Sequence, residues 1–196
     1  MGICRRSAIV AAALMATVAV APLAGVARAG EIADGAAAAD DFLQQGKPAE
    51  ALDAFDKATD AFWAASPLQL RTVLFANTVS GYGQYTPRAD SIFHSRETAK
   101  VYAEPVGYAF AATGDTFSVT FTAGIEVHTP GGLVLAKAAD FGRLKWEGRT
   151  RSRAVQVAID VGLPELRPGE YRLLVTLTDD TSGKATTATL PFTIVE

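Results

Sequence analysis

The stretch Leu166-Arg167-Pro168-Gly169-Glu170-Tyr171, continuing into Arg172-Leu173-Leu174-Val175-Thr176-Leu177, constrains the fold more than any other part of the chain. Proline and glycine set a turn, and the turn delivers a tyrosine into a run of strand formers. A tyrosine at such a corner bonds its hydroxyl back to the upstream backbone and packs its ring toward the core of a two-sheet sandwich. The expectation is therefore architectural: Tyr171 pins the entry to a strand of a β-sandwich. It carries no information about chemistry.

The remaining pattern agrees. Leu70 to Val79 is rich in β-formers, Ala99 to Val106 alternates, and Gly114-Asp115 opens a long run to His128 in which Phe117, Val119 and Phe121 alternate, with Gly124 as a candidate bulge. Thr129-Pro130-Gly131-Gly132 is a hairpin turn before Leu133-Val134-Leu135, and Val155, Val157, Ile159 and Val161 alternate further on. The strand after Tyr171 and the segment Ala185 to Val195 complete about seven strands, joined by short turn-rich connections with no helix between them. That spacing predicts an immunoglobulin-like antiparallel sandwich over residues 67–196, and not a parallel α/β sheet.

Before it, residues 30–66 read as a helical hairpin. Gly46-Lys47-Pro48 ends one helix and starts the next, and Ala51, Phe55, Ala58 and Phe62 follow at helical spacing as an expected buried face. Phe42, Ala51, Phe55 and Ala58 resemble part of a single tetratricopeptide repeat, whereas Gly35 and Trp63 depart from it and no second copy follows. A lone repeat cannot bury its own face, so the pair is expected either to dock on the sandwich or to serve as a platform for a partner.

Residues 1–29 have the form of a secretory signal: Arg5-Arg6, an apolar run from Ala8 to Val20, and the small-residue site Ala27-Arg28-Ala29. A spanning helix needs about 20 apolar residues, and the cleavage motif favours removal. The expected location is periplasmic or secreted, with membrane contact only through the signal before cleavage. Cys4, the only cysteine, leaves with the signal, so no disulfide or cysteine-ligated metal is expected.

Removal of three basic residues leaves 15 basic and 21 acidic side chains, a net −6. This charge argues against nucleic acid or anionic lipid as a general partner. Glu31 to Ser66 holds eight acids and two bases, so the helices carry the whole excess and the β region is neutral.

Candidate chemistry is thin. No serine lies in a Gly-x-Ser-x-Gly elbow, and the only histidines, His94 and His128, form no metal motif. Asp179-Asp180-Thr181-Ser182-Gly183 offers oxygens but lacks the order of a calcium loop, and suits a hairpin turn. No cofactor, metal or catalytic residue is expected, and a carboxylate-pair hydrolase has no pair to rest on.

Two groups remain. Tyr82, Tyr85, Arg88, Tyr102 and Glu104 combine aromatic faces with polar anchors; they form a sugar- or peptide-binding face, or else the tyrosines pack on the sheet edge and Arg88 pairs with Glu104. Arg149, Arg151 and Arg153 alternate, as an anion patch, as the solvent side of an exposed edge strand, or as a dock for the acidic helices.

From Leu70 onward the chain is similar to a family of secreted bacterial proteins of uncharacterised function with an immunoglobulin-like or fibronectin-like sandwich. The similarity is carried by Gly81-Tyr82-Gly83-Gln84-Tyr85-Thr86-Pro87-Arg88, Phe93, Val101-Tyr102-Ala103-Glu104-Pro105-Val106-Gly107-Tyr108, Pro168-Gly169-Glu170-Tyr171 and Asp179-Asp180-Thr181-Ser182-Gly183-Lys184. It implies export and a sandwich, and it transfers no catalytic residue. The expected function is a non-enzymatic interaction module for a protein or envelope component. The alternative is a carbohydrate- or small-ligand-binding protein using the tyrosine loops.

Overall fold

The computed structural model describes the backbone of residues 24–196 and the side chains of residues 30–196. The charged and apolar parts of the expected signal therefore lie outside the described residues. Among the described residues two helices precede ten strands: α1 (Ala24–Gln44), α2 (Pro48–Ala65), β1 (Gln69–Gly81), β2 (Gln84–Pro87), β3 (Ile92–His94), β4 (Thr98–Val106), β5 (Ala111–Thr113), β6 (Thr116–His128), β7 (Val134–Gly148), β8 (Val157–Gly162), β9 (Gly169–Asp179) and β10 (Ala185–Val195). No helix among the described residues is long and apolar enough to cross a membrane.

The strands form a β-sandwich. One sheet has the order β2-β1-β4-β8; the other runs β3-β10-β9-β6, with β5 pairing the start of β6 and β7 pairing its length. All pairs are antiparallel except β3 with β10. Alternation sends Leu173, Val175 and Leu177 of β9 inward to zero exposure, against Val101, Ala103, Val157 and Val161 of the facing sheet. Ten strands replace the expected seven because β2, β3 and β5 are only four, three and three residues long and carry no readable period.

The corner is as its residues predict. The Tyr171 hydroxyl donates to the Arg167 carbonyl at 2.9 Å, and its ring stacks on Phe192 with centroids 5.6 Å apart.

The helical hairpin also forms, with Gly46 at φ +69° in the turn and Pro48 in the first turn of α2. Its packing differs from the sequence expectation. Ala51 and Ala58 are buried, but Phe55 and Phe62 remain 56% and 58% exposed. The cause is close helix approach at small residues: a Cβ at Gly35 would lie 3.0 Å from the Ala58 Cβ. Alanine and glycine fill the α1–α2 seam, so the phenylalanines fall beside it.

Candidate functional site

The hairpin meets the sandwich at the end of α2, and three chemically different contacts hold the junction. The Trp63 indole N–H donates to the Tyr108 carbonyl at 2.8 Å, and the two rings meet edge to face at 5.1 Å. Asp60 receives Arg151 at 3.0 Å and Arg153 at 2.6 Å. Lys184, on the β9–β10 turn, donates all three ammonium protons to the carbonyls of Ala64 (3.0 Å), Ser66 (2.6 Å) and Gly107 (3.0 Å). A cation thus caps the negative end of α2. Gly107 is required here: at φ +80° a Cβ would sit 2.3 Å from the Pro67 carbonyl oxygen.

Beside these contacts lies a cleft of about 420 Å³ lined by Asp60, Trp63, Tyr108, Phe110, Arg151 and Ser182, among others. Tyr108 is buried, its hydroxyl donates to the Ser152 carbonyl at 2.8 Å, and burial raises its pKa. The cleft combines aromatic walls with one ion pair, which suits a flat ring bearing polar groups. The Ser182 hydroxyl at its edge donates to the Asp179 carboxylate.

Asp179 explains the acidic turn. With zero exposure, its carboxylate accepts the N–H of Ala109 at 2.8 Å and of Thr181 at 3.0 Å as well as the Ser182 hydroxyl. The oxygens that resembled cation ligands hold the turn against β4–β5. Among the described residues no three or more histidine, cysteine or carboxylate groups gather as a metal site.

The five tyrosine-loop residues divide. Tyr102 has zero exposure and Glu104 has 8%. They sit on the outer face of β4, beneath the β1–β2 hairpin, whose Gly83 N–H donates to the Tyr102 hydroxyl at 2.7 Å. The Tyr102 hydroxyl in turn donates to Glu104 at 2.7 Å, and Thr72 donates to the other carboxylate oxygen at 3.0 Å. Burial, then the Glu104 bond, push the Tyr102 pKa up to about 12. Tyr85 lies over the Tyr102 ring at 4.2 Å, and Tyr82 is half-buried on the same hairpin.

Arg88 belongs to a second cluster. It lies 4.0 Å over Phe93, donates to Glu97 at 2.8 Å and to the Ile92 carbonyl, and approaches Asp90 at 3.5 Å. The Arg88–Glu104 pair of the packing alternative is not formed; Glu97 takes its place. Partial desolvation of Glu97 is outweighed by the His94 N–H and Arg88, which hold its pKa below the usual value.

Arg149, Arg151 and Arg153 lie in the β7–β8 connection and not on a strand, which corrects the edge-strand expectation. Arg151 and Arg153 clamp Asp60 of α2, so two of the three serve the docking alternative. His128 pairs with Glu126 at 2.7 Å on a sheet face, and Lys137 and His128 together lower the Glu126 pKa.

One feature escaped the sequence pattern. Leu52, Phe55 and Phe62 are spaced along one side of α2, and Leu43 stands near the end of α1; each is more than half exposed. Their identity was legible, but their direction was not, because a helical period does not say which neighbour an apolar stripe meets.

No protein-family model matches the chain, and no curated protein matches it. Among solved structures, it is similar to the Pseudomonas fluorescens alkylpurine DNA glycosylase AlkC bound to DNA with an abasic site analogue (TM-score 0.36, 8% identity, 79% of this chain and 40% of that one). It is also similar to an AA10 lytic polysaccharide monooxygenase from Streptomyces lividans (TM-score 0.32, 16% identity, 56% and 61%). A third is the Bacillus subtilis sporulation control protein Spo0M (TM-score 0.34, 8% identity, 67% and 50%). The chain spans less than two thirds of each of these chains, and likeness at such scores carries no argument.

Proposed function

We propose that this chain is a non-enzymatic, exported interaction module that binds a protein or envelope component in the periplasm or outside the cell. The observation that carries the reading is the exposed Leu43, Leu52, Phe55 and Phe62 on an anionic hairpin anchored at one end to a rigid sandwich. Large apolar groups left together in water mark a surface that has a partner. Export rests on the signal-like residues 1–29, and the secreted sandwich family on the blocks around Tyr82 and Tyr102. Intact mass of the exported protein is expected to begin at Gly30; a species retaining Cys4 contradicts processing there.

The direct test is capture from envelope extracts by the wild-type chain and by a Phe55→Ser/Phe62→Ser variant. The partner is expected with the first and absent with the second. Equal capture removes the hairpin from the recognition surface.

A second reading, a carbohydrate- or small-ligand-binding protein, is favoured by the cleft at Trp63, Tyr108 and Phe110, and by the half-buried Tyr82 and Tyr85 with Arg88. Titration with soluble oligosaccharides is then expected to change tryptophan fluorescence, because Trp63 lines the cleft; a flat titration opposes it.

A further inference from the structure

Resting on the interaction reading, we infer that the hairpin face formed by Leu43, Leu52, Phe55 and Phe62 receives a basic amphipathic helix of a partner protein. Two observations meet here. The first is geometric. Positions 52, 55 and 62 follow one line of α2, with the exposed Leu43 beside the start of that helix. A two-helix hairpin with an apolar side is completed by a third helix whose anchors recur at the same intervals.

The second is electrostatic. The hairpin carries eight acids and two bases, and of these ten only Asp60 enters an ion pair among the described residues. Glu31, Asp34, Asp40, Asp41, Glu50, Asp53 and Asp56 against Lys47 and Lys57 leave a net −5 without an intramolecular counter-charge. Glu50 and Asp53 line the groove on the Gly35, Ala38 and Phe42 side of the hairpin, so the anionic excess belongs to the hairpin as a whole, and an excess of one sign selects a cationic partner and speeds its approach.

The same charge disfavours the other occupants. A second copy brings an identical anionic hairpin against the first, and an anionic lipid surface repels both. A neutral apolar partner leaves the acids unused.

The probe is a labelled leucine–lysine amphipathic helix of about 18 residues, long enough to hold a helix on binding. Its controls are a scrambled peptide of identical composition and a leucine–glutamate counterpart. The full chain is expected to bind the amphipathic cationic peptide at least about tenfold more tightly than the scrambled one, and less tightly as salt is added. The Phe55→Ser/Phe62→Ser variant is expected to lose that preference with an unchanged circular dichroism spectrum, since both rings are exposed. Asp53→Asn/Asp56→Asn, which leaves the stripe intact, is expected to weaken binding of both cationic peptides alike.

Equal affinity for amphipathic and scrambled peptides, or equal affinity for the glutamate peptide, overturns the proposal. So does sedimentation of the chain alone as a dimer that the double phenylalanine variant dissolves, which assigns the face to a second copy. The two readings fail separately. If capture from envelope extracts depends on Phe55 and Phe62 while the peptides bind alike, only the basic helix is refuted. If capture is indifferent to both residues, the interaction surface itself is refuted.

Discussion

Lys184→Met is the sharpest test of how the hairpin is held. The ammonium is half-buried and uses all three protons on the carbonyls of Ala64, Ser66 and Gly107, between 2.6 and 3.0 Å away. Hydrogen bonds from a charged group contribute about 1.5–3 kcal/mol net, and a cation at a helix C-terminus about 0.3–1 kcal/mol. Methionine keeps the apolar stem and avoids desolvating a charge, and water can reach some of the freed carbonyls. The expected net loss is about 2 kcal/mol. With a urea slope near 2 kcal/mol/M, the midpoint falls by about 1 M. The assay is urea unfolding followed by tryptophan fluorescence, which reports Trp63 at the junction together with Trp146 on β7, and by circular dichroism, which reports the sheets. Lys184→Arg is the companion variant: a planar fork cannot aim at three converging acceptors, so it is expected to recover less than half of the loss. A midpoint lowered by less than about 0.3 M in the methionine variant, or full recovery by arginine, refutes the tripod as a source of stability.

Other outcomes follow from the same contacts. Gly107→Ala drives a Cβ into the Pro67 carbonyl oxygen at 2.3 Å, backbone that cannot rotate away, and is expected to cost at least about 3 kcal/mol in thermal unfolding. Tyr171→Phe removes a 2.9 Å bond to the Arg167 carbonyl at a half-exposed site and is expected to cost about 0.5–1 kcal/mol by chemical denaturation. Asp60→Asn weakens two ion pairs at a site 43% exposed, so the loss stays under about 1 kcal/mol; proteolysis near Ser66-Pro67 is expected to speed up with salt in the wild-type chain, as these pairs are screened, and to be less salt-dependent in the variant. Alkali probes Tyr102: its pKa is raised from 10.0 to about 12, so the folded chain keeps a proton that the unfolded chain releases. That stability is complete below pH 10 and is lost as pH rises through about 12, which tyrosinate absorbance and circular dichroism followed together will show.

The parts of the structure written in local patterns were legible. Tyr171 follows its own turn, Gly46 and Pro48 punctuate their own helices, and Gly124 marks a register shift in β6 where the Ala139 carbonyl approaches. The parts that depend on a distant neighbour were not. Lys184 looks like any turn lysine until α2 arrives with its free carbonyls 118 and 120 positions away. Arg151 and Arg153 alternate with small residues as a strand would, but Asp60 draws them into a loop clamp. Tyr102 and Glu104 alternate with Val101 and Ala103 as an exposed face should, and are buried only because the β1–β2 hairpin bends across them. For the candidate site, composition supplied the anionic hairpin, whereas the direction of Phe55 and Phe62 was fixed by glycine and alanine in the helix seam.

The parallel pairing of β3 with β10 sets a clock on the protein's maturation. Ile92 pairs with Thr193, 193 − 92 = 101 positions later, and β10 stands between β9 and β3. At a synthesis rate of about 5–20 residues per second, roughly 5–20 s separate the appearance of the two strands. The helical hairpin, whose contacts are local, forms early in that interval. Throughout it, β3 has no sheet to join and Phe93 has no Phe192 to pack against, and β9, once made, presents an open edge until β10 arrives. A shortened product lacking residues 185–196 stays in that condition, with a folded hairpin attached to an unclosed sandwich and the β9 edge free to pair with other chains.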